Sequence, residues 1–270
     1  MNFVRNFLLA TVAGCSLSLS SCSKDGDGVV LFSVQDDVAL GAKVAQQTDS
    51  TYRAKGTLLE RSNSANDEAY AALDRIVNRV LNSGELLHRN DFVWDVKIIN
   101  EPNTLNAFAS PGGHIYVFSG LIKFLDRESE LAGVLGHEIA HADRRHTSRQ
   151  LQQQYGISFL LSLLAGENPN QLTQIAAGLG QLKFSRDFER EADEYSVIYL
   201  NGTNYYACNG AAGFFQKAED QGQSAQTPEF LSTHPNPGDR IVAINTKADA
   251  LACKSRTAGD ADFAILKSKL

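Results

Sequence analysis

The chain has 270 residues, and its 25 Lys and Arg against 31 Asp and Glu give a formal charge of −6. This length allows one large domain or two small ones, and a composition of 43% hydrophobic and 21% charged residues excludes wholesale disorder. The acidic balance argues against nucleic acid as a partner, because binding to phosphate backbones depends on a surplus of Lys and Arg. Four cysteines are too few for a disulfide-stapled miniprotein.

Residues 1–21 predict a signal peptide. Arg5 is the only charged residue before a short apolar run from Phe7 to Gly14, and small residues follow this run. A basic start, a short apolar stretch and small residues are typical of a secretory signal. The apolar run is too short to span a bilayer stably.

Two cysteines, Cys15 and Cys22, stand where a bacterial lipobox would end. We favour Cys22 as the lipidated residue, because cleavage before Cys15 would leave a very short apolar region. A polar run follows Cys22 and is typical of a flexible tether, which we assign to residues 22–35, with one folded domain over 36–270. The alternative is an ordinary secreted protein that is cleaved nearby, in which Cys22 has no special role.

Export would place Cys208 and Cys253 in an oxidising compartment, where a disulfide persists. Closing that loop would contribute roughly 3–4 kcal/mol in the chain-entropy model. The alternative is two separate buried thiols, because the sequence does not show their geometry.

The first half of the mature chain predicts helices followed by strands. Helical spacing begins after Asp36, and apolar residues at i, i+3 and i+4 predict an amphipathic helix over 66–81. Residues 92–99, 103–109 and 114–118 are extended runs, with a turn at 111–113 before the last of them.

Helices dominate the second half. Asp126 is positioned to cap a helix that runs to about Arg149. The apolar run 156–165 has only about ten residues, so it predicts a buried helix and not a membrane span. One further helix is predicted to begin at about residue 171, and another is predicted over 187–200. Two short helices are predicted near the C-terminus.

The chemistry-bearing motif, an HExxH sequence formed by His137, Glu138 and His141, lies inside the predicted 126–149 helix. Positions i and i+4 share a helix face and lie about 6 Å apart along the axis, so both imidazoles can reach one tetrahedral zinc ion. Glu138 would lie beside the first ligand, where it can activate a water molecule. The alternative is that both histidines are ordinary residues of a helix surface.

A third zinc ligand is predicted on the helix that begins near residue 187. Glu189 and Asp193 are four residues apart and share a face, with Ala192 leaving room for close packing. We therefore predict Glu189 as the ligand and Asp193 as the acceptor that orients a ligand imidazole. Glu191 points about 160° away from this face and is expected to meet solvent. Alternatively, the acidic face is merely solvated.

Four motifs together resemble one metallopeptidase family. The motif at 137–141 is followed by residues 185–193, and the match extends to residues 106–113 and 231–235. In this order the motifs resemble the gluzincin family that holds the CAAX prenyl protease, HtpX, BepA and LoiP. The resemblance covers most of residues 86–240.

The resemblance implies an α+β fold, a mostly helical zincin-type domain with a small β-sheet beside the active-site helix. It also implies one zinc ion per chain and supports Glu189 over Glu191, because the family's third ligand is the first Glu of an ExxxD pattern. The mature chain has no span long enough to cross a membrane, so it is similar to the soluble periplasmic BepA and LoiP branch.

Two further regions have predicted roles in the site. One is a substrate-binding edge strand, to which an extended peptide would add by backbone hydrogen bonds, formed by Asn106, Ala107, Phe108 and Ala109; the alternative is an ordinary strand. The other is His234, which either stabilises the oxyanion or, as the resemblance to BepA implies, binds zinc as a fourth ligand and keeps the enzyme latent. Arg240 is a candidate for orienting this loop.

The expected function is that of a lipid-anchored zinc endopeptidase facing the periplasm of a bacterial cell envelope. Its expected partners are unfolded or misassembled envelope proteins in extended conformation, with membrane contact only through the N-terminal lipid and no nucleic acid. The alternative is a chaperone-like or latent binding protein that keeps the metal but cleaves little. Glu138 favours the enzyme, because pure binding has no need of a base beside the metal.

Overall fold

The computed structural model describes residues 31–221, 229–234 and 239–270. The strands are β1 (Asp95–Ile99), β2 (Ala107–Ala109) and β3 (His114–Phe118). The helices are α1 (Val34–Ala54), α2 (Asp67–Leu81), α3 (Ser119–Phe124), α4 (Glu128–Asp143), α5 (His146–Tyr155), α6 (Ile157–Leu164), α7 (Pro169–Gly178), α8 (Arg186–Gly202), α9 (Gly210–Gln221), α10 (Glu229–Thr233), α11 (Arg240–Ala250) and α12 (Ala261–Ser268). The predicted mostly helical α+β class is confirmed. The predicted signal peptide and Cys22 lie outside the described residues.

The sheet has the strand order β1-β3-β2, with β3 parallel to β1 and antiparallel to β2. Successive side chains of a strand point to opposite faces, and here both faces are covered. Ile98 and Val117 belong to a core that includes residues of α2 and α4. Ile99 and Tyr116 belong to a second core, formed with α1 and the α5–α7 segment. The sheet therefore lies between the helix of the HExxH motif and the N-terminal helix.

Two predicted elements agree closely with the structure, and two strands are shorter than predicted. The helix predicted over 66–81 is α2, and the strand predicted over 114–118 is β3. The run at 92–99 forms a strand only from Asp95, because Trp94 has a φ of 48°, which interrupts extended backbone. The run at 103–109 forms a strand only at its last three residues.

The predicted helix over 126–149 is wrong in its C-terminal boundary, because α4 ends at Asp143 and α5 begins at His146. Arg145, between them, has a left-handed φ of 62°. Its Nε donates to the buried Asp37 Oδ2 at 2.5 Å, and its Nη2 donates to the carbonyl of Phe32. This ion pair with a distant helix holds the break, so local spacing alone does not predict it.

The folded domain begins earlier than residue 36, so the tether predicted over 22–35 extends too far. Phe32 is buried in the core beside α1. Ser33 caps α1, because its Oγ accepts from the Asp36 amide while the Asp36 carboxylate accepts from the Ser33 amide. The capping box explains why the helix starts at Val34.

Cys208 and Cys253 form a disulfide with a Cα separation of 5.6 Å. Cys208 lies just before α9, and Cys253 lies in the segment that follows α11. Of the two alternatives considered for these thiols, the structure has the bridge. None of the helices in the described ranges combines the length and apolar character that a membrane crossing requires.

Candidate metal centre

The HExxH helix α4 is buried because neighbouring helices approach it very closely. A Cβ at Gly133 would lie 2.1 Å from the amide nitrogen of Ala211 at the start of α9, so only glycine fits there. Ser196 of α8 donates to the Gly133 carbonyl at 2.7 Å. Close approach of α8 brings its acidic residues to the histidines of α4.

Four buried side chains converge beside α4, namely His137, His141, Glu189 and His234. Their potential ligand atoms all lie within 4.8 Å of one another. The Nε2 atoms of His137 and His141 are 3.0 Å apart. Glu189 oxygens lie 3.5 Å from the first of these nitrogens and 3.6 Å from the second. The predicted ligand set therefore meets at one point, together with His234.

The arrangement fits a tetrahedral cation. Ligands at about 2.0–2.1 Å from a tetrahedral zinc ion lie about 3.3 Å from one another. His234 Nδ1 is 3.3 Å from His137 Nε2 and 3.0 Å from Glu189 Oε1, close to that edge length. Glu189 Oε2 is also buried and makes no hydrogen bond of good geometry in the described part of the chain, although Arg240 Nη1 lies 3.1 Å from it. A buried carboxylate among imidazole nitrogens at these separations is the chemistry of a metal site.

Glu138 lies next to this group but is not part of it. Both of its carboxylate oxygens are buried and have no hydrogen-bond partner in the described part of the chain. Its Oε1 is 3.5 Å from His234 Nε2. Burial raises the pKa of Glu138, although the nearby His234 and His137 act in the opposite direction. A carboxylate with free oxygens and a raised pKa is suited to accept a proton.

Asp193 contacts the first histidine from the face of α8 on which the sequence predicts an acceptor. Its Oδ1 is 2.9 Å from His137 Nδ1, so the other ring nitrogen, His137 Nε2, faces the ligand group. Arg240 holds the same carboxylate with a two-pronged contact, Nε to Oδ2 at 2.6 Å and Nη2 to Oδ1 at 2.5 Å. Burial alone would raise the pKa of Asp193, but Arg240 and His137 outweigh burial and lower it.

Arg240 contacts two further parts of the centre. Its Nη1 lies 3.1 Å from Glu189 Oε2, and the same nitrogen donates to the His234 carbonyl at 3.2 Å. One buried cation thus lies between Asp193, Glu189 and the His234 backbone. Sequence reasoning offered Arg240 only as a loop-orienting candidate, because nothing in its local pattern shows that two carboxylates surround it.

The second histidine has a partner that sequence reasoning missed. His146 Nδ1 is 3.2 Å from His141 Nδ1, and His146 Nε2 is 3.2 Å from Glu191 Oε2. If His141 presents Nε2 to the metal, its Nδ1–H donates to His146, whose Nε2–H then donates to Glu191. The donors and acceptors of all three groups agree with this single direction.

The prediction that Glu191 meets solvent is correct only in part. Its side chain is half-buried, and Arg144 Nε donates to its Oε1 at 2.8 Å, opposite the contact with His146. The hydrogen bond from His146 and the contact with Arg144 lower the pKa of Glu191 to about 2. The break between α4 and α5 brings both partners to this carboxylate. His88 and His114 are outside the ligand group.

The predicted substrate strand forms the edge strand β2, and its residues are buried. Asn106 Nδ2 donates to the Gly180 carbonyl at 3.0 Å, and Asn106 Oδ1 accepts from the Ala107 amide at 2.9 Å. Thr147 donates to the Ala109 carbonyl at 3.1 Å. Side chains and the 179–181 segment therefore cover the edge in this structure.

Aromatic rings cover the ligand group as well. The ring of Phe184 stacks on His141 at a centroid distance of 4.0 Å, and Phe230 stacks on His234 at 4.3 Å. The Phe230 amide donates to the Leu105 carbonyl at 3.0 Å, just before β2. All four candidate ligands are consequently buried in this state of the chain.

The model of peptidase family M48 matches residues 67–248, about two thirds of the chain. The chain belongs to peptidase family M48. The family assignment made from the four motifs is thereby confirmed, and the matched range contains every candidate ligand. The chain carries a metallopeptidase domain with a candidate metal site of the M48 type.

Relatives of this M48 chain include mitochondrial and bacterial proteases. The mitochondrial metalloendopeptidase OMA1 of Schizosaccharomyces pombe is 31% identical over 176 residues, which are 64% of this chain and 51% of that protein. The putative beta-barrel assembly-enhancing protease of Vibrio cholerae is 34% identical over 158 residues, or 53% and 32%. The beta-barrel assembly-enhancing protease of Escherichia coli is 32% identical over 161 residues, or 54% and 33%. The matched part of the chain spans one third to one half of these relatives.

Proposed function

We propose that this M48 domain is a zinc-dependent endopeptidase of the bacterial cell envelope, with one zinc ion per chain. We further propose that lipid at Cys22 anchors it facing the periplasm, and that it cleaves unfolded or misassembled envelope proteins. The main support for this chemistry is the buried ligand group, with the Glu138 carboxylate beside it that has no hydrogen-bond partner among the described residues. The bacterial relatives named as beta-barrel assembly-enhancing proteases support the substrate class.

Each residue of the centre has a distinct proposed role. His137, His141 and Glu189 would hold the zinc ion, which when bound lowers the pKa of a water molecule and polarises the scissile carbonyl. Glu138 accepts a proton from the attacking water and delivers it to the leaving amine. Asp193 and His146 keep the two imidazoles oriented toward the ligand group.

We propose that His234 holds the fourth ligand position and keeps this state latent. A catalytic zinc site needs an open position, and a site with four protein ligands has none. His234 Nδ1 lies within the ligand group, and this placement supports the ligand role over the oxyanion role. Its Nε2 is also 3.5 Å from Glu138 Oε1, so departure of His234 would free the base as well as the fourth position.

Substrate would bind along β2 by strand addition. An extended peptide needs backbone groups at the sheet edge, and here Asn106, Thr147 and the 179–181 segment occupy that edge. Binding therefore requires these contacts to be exchanged for contacts with the peptide. This is consistent with a latent state in which both the metal group and the substrate edge are covered.

The first test replaces His234, the residue proposed to keep the enzyme latent. In the His234→Ala variant we expect higher cleavage of an unfolded protein such as casein, with one zinc ion retained per chain by the other three ligands. The measurements are the initial rate of cleavage and the zinc content by elemental analysis. A fall in rate with unchanged zinc content would instead assign His234 to transition-state stabilisation.

The second test removes the proposed base in that activated background. Adding Glu138→Gln to His234→Ala should lower the rate by about 10²- to 10⁴-fold, because general-base catalysis contributes that much, while zinc content stays the same. Glu167→Gln, an exposed change outside the site, is the matched control. Zinc binding without hydrolysis in any background would favour the chaperone-like alternative.

A further inference from the structure

The apolar helix α6 has a surface that the described chain does not cover. From Gln150 to Gly166 no residue is charged, and α6 consists of six large apolar residues and two serines. The serines are on the solvent side, with Ser158 exposed and Ser162 partly exposed, as is usual for polar residues of a surface helix. Within α6, only Leu160 and Leu163 are buried.

The exposed apolar residues lie at the end of α5 and on α6. Leu161 is 45% exposed and Tyr155, at the end of α5, is 38% exposed. The ring of the half-buried Phe159 stacks on Tyr155 at 5.6 Å and connects the two helices. Isolated apolar residues on a surface need no explanation, but a group of this kind marks an interaction site.

The N-terminal segment enters the fold beside this group. The Leu31 amide donates to Gln152 Oε1 at 3.0 Å, about one helical turn before Tyr155, and Leu31 itself is 65% exposed. The next residue, Phe32, is buried in the same core as Leu160. We call Leu31, Tyr155, Phe159 and Leu161 the α5–α6 patch.

The position of the proposed lipid indicates which partner the α5–α6 patch contacts. Leu31 follows Cys22 by nine residues, and nine residues span at most about 30 Å. A lipid on Cys22 would therefore hold the patch within about 30 Å of the leaflet that contains the acyl chains. Tethering at this distance raises the effective concentration of the patch at the leaflet, so that a weak apolar contact becomes populated.

We propose that the α5–α6 patch docks on the lipid leaflet in which the acyl chains of Cys22 are inserted, an inference that rests on the proposed lipid anchor. The eight residues of α6 are about 12 Å long, much shorter than a bilayer core, so the helix would lie in the interface rather than cross it. Tyr155 has the amphipathic ring that favours the headgroup level. Docking would fix the orientation of the domain relative to the membrane.

The test uses mature chain that starts at Cys22. Cys208 and Cys253 are bridged, so the Cys22 thiol can be coupled selectively to a maleimide lipid in vesicles of phosphatidylethanolamine and phosphatidylglycerol. Coupling replaces natural lipidation, so docking is measured even if cells do not modify Cys22. Mass spectrometry of the cellular protein tests the anchor separately.

Two tryptophan variants report the depth of the patch. Leu161→Trp places a probe in the patch, and Val242→Trp is the matched control on α11, where Val242 is 64% exposed. With brominated acyl chains we expect at least twofold stronger quenching of the Leu161→Trp probe than of the control probe. Both carry the same background from the native Trp94, the one tryptophan of the chain. Equal quenching of the two variants would overturn the proposal.

A charge-insertion pair tests the affinity without any lipid anchor. In Cys22→Ser chain, Leu161→Asp should weaken vesicle binding about tenfold, the equivalent of losing much of one buried leucine side chain, whereas Val242→Asp should leave it unchanged. Far-ultraviolet circular dichroism controls for folding. If Leu161→Asp instead dissociates a dimer that forms without vesicles, a second copy of the chain covers the patch and the membrane proposal is wrong.

Discussion

The candidate metal centre and the α5–α6 patch depart from the usual distribution of residues in opposite ways. The centre buries Glu138, Glu189, Asp193 and Arg240 almost completely, although charged residues are normally exposed. The patch exposes large apolar residues of a helix that has no charge. Both regions contain groups that have no partner in the described chain. In the centre these are carboxylate oxygens without hydrogen-bond donors, and in the patch they are apolar side chains that nothing covers. Each departure suggests a partner from outside the chain, a cation for the centre and a lipid leaflet for the patch.

The two departures differ in energetic cost. A buried ion that loses its partner destabilises a protein by about 3–5 kcal/mol, so the centre depends on every ion pair being in place. An exposed leucine costs the folded state little, and its replacement usually changes stability by less than about 0.5 kcal/mol. The centre should therefore be sensitive to single substitutions and the patch tolerant of them.

The strongest test of this difference is Arg240→Ala in metal-free protein. The change leaves Asp193 and Glu189 buried without their cation, and we expect the free energy of unfolding to fall by about 3–5 kcal/mol. Urea unfolding followed by circular dichroism measures it. Arg190→Ala, which removes an exposed ion pair with Asp187, is the control and should change stability by less than about 0.5 kcal/mol. Similar midpoints for the two variants would contradict the account of the centre.

The second test compares adjacent leucines of α6. Leu160 is buried and Leu161 belongs to the patch. Leu160→Ala should lower the free energy of unfolding by about 2–5 kcal/mol, because it leaves a cavity. Leu161→Ala should change it by less than about 0.5 kcal/mol. Equal losses in urea unfolding would mean that the exposed face of α6 is covered within the folded chain.

The third test concerns the partner of the second histidine. His146→Gln removes the group that accepts from His141 Nδ1, and we expect zinc affinity to fall about 10- to 100-fold, the usual effect of losing such support. Competition with a chromophoric chelator measures the dissociation constant, and His88→Gln, at a partly exposed histidine outside the ligand group, is the control. An unchanged zinc affinity would mean that the contact between His146 and His141 does not support metal binding.

Sequence reasoning reached the residues whose relation is local. His137 and His141 share a face because a helix turns every 3.6 residues, and the same spacing relates Glu189 to Asp193. The strand at 114–118 and the helix at 66–81 follow from periodicity within each segment. The partners of Arg240, by contrast, are 47 and 51 residues away in sequence, and no local pattern indicates them.

The sequence by itself determined that the HExxH histidines share one face of a helix, because a helix turns every 3.6 residues, and it determined the family, because four motifs occur in the family order. Tertiary structure alone decided that α4 ends before Arg145, that His146 and Glu191 support His141, that His234 joins the ligand group, and that α6 keeps an exposed face. These features depend on which distant segments pack against each helix. Burial and ion pairing are properties of that packing, whereas periodicity is a property of the segment itself.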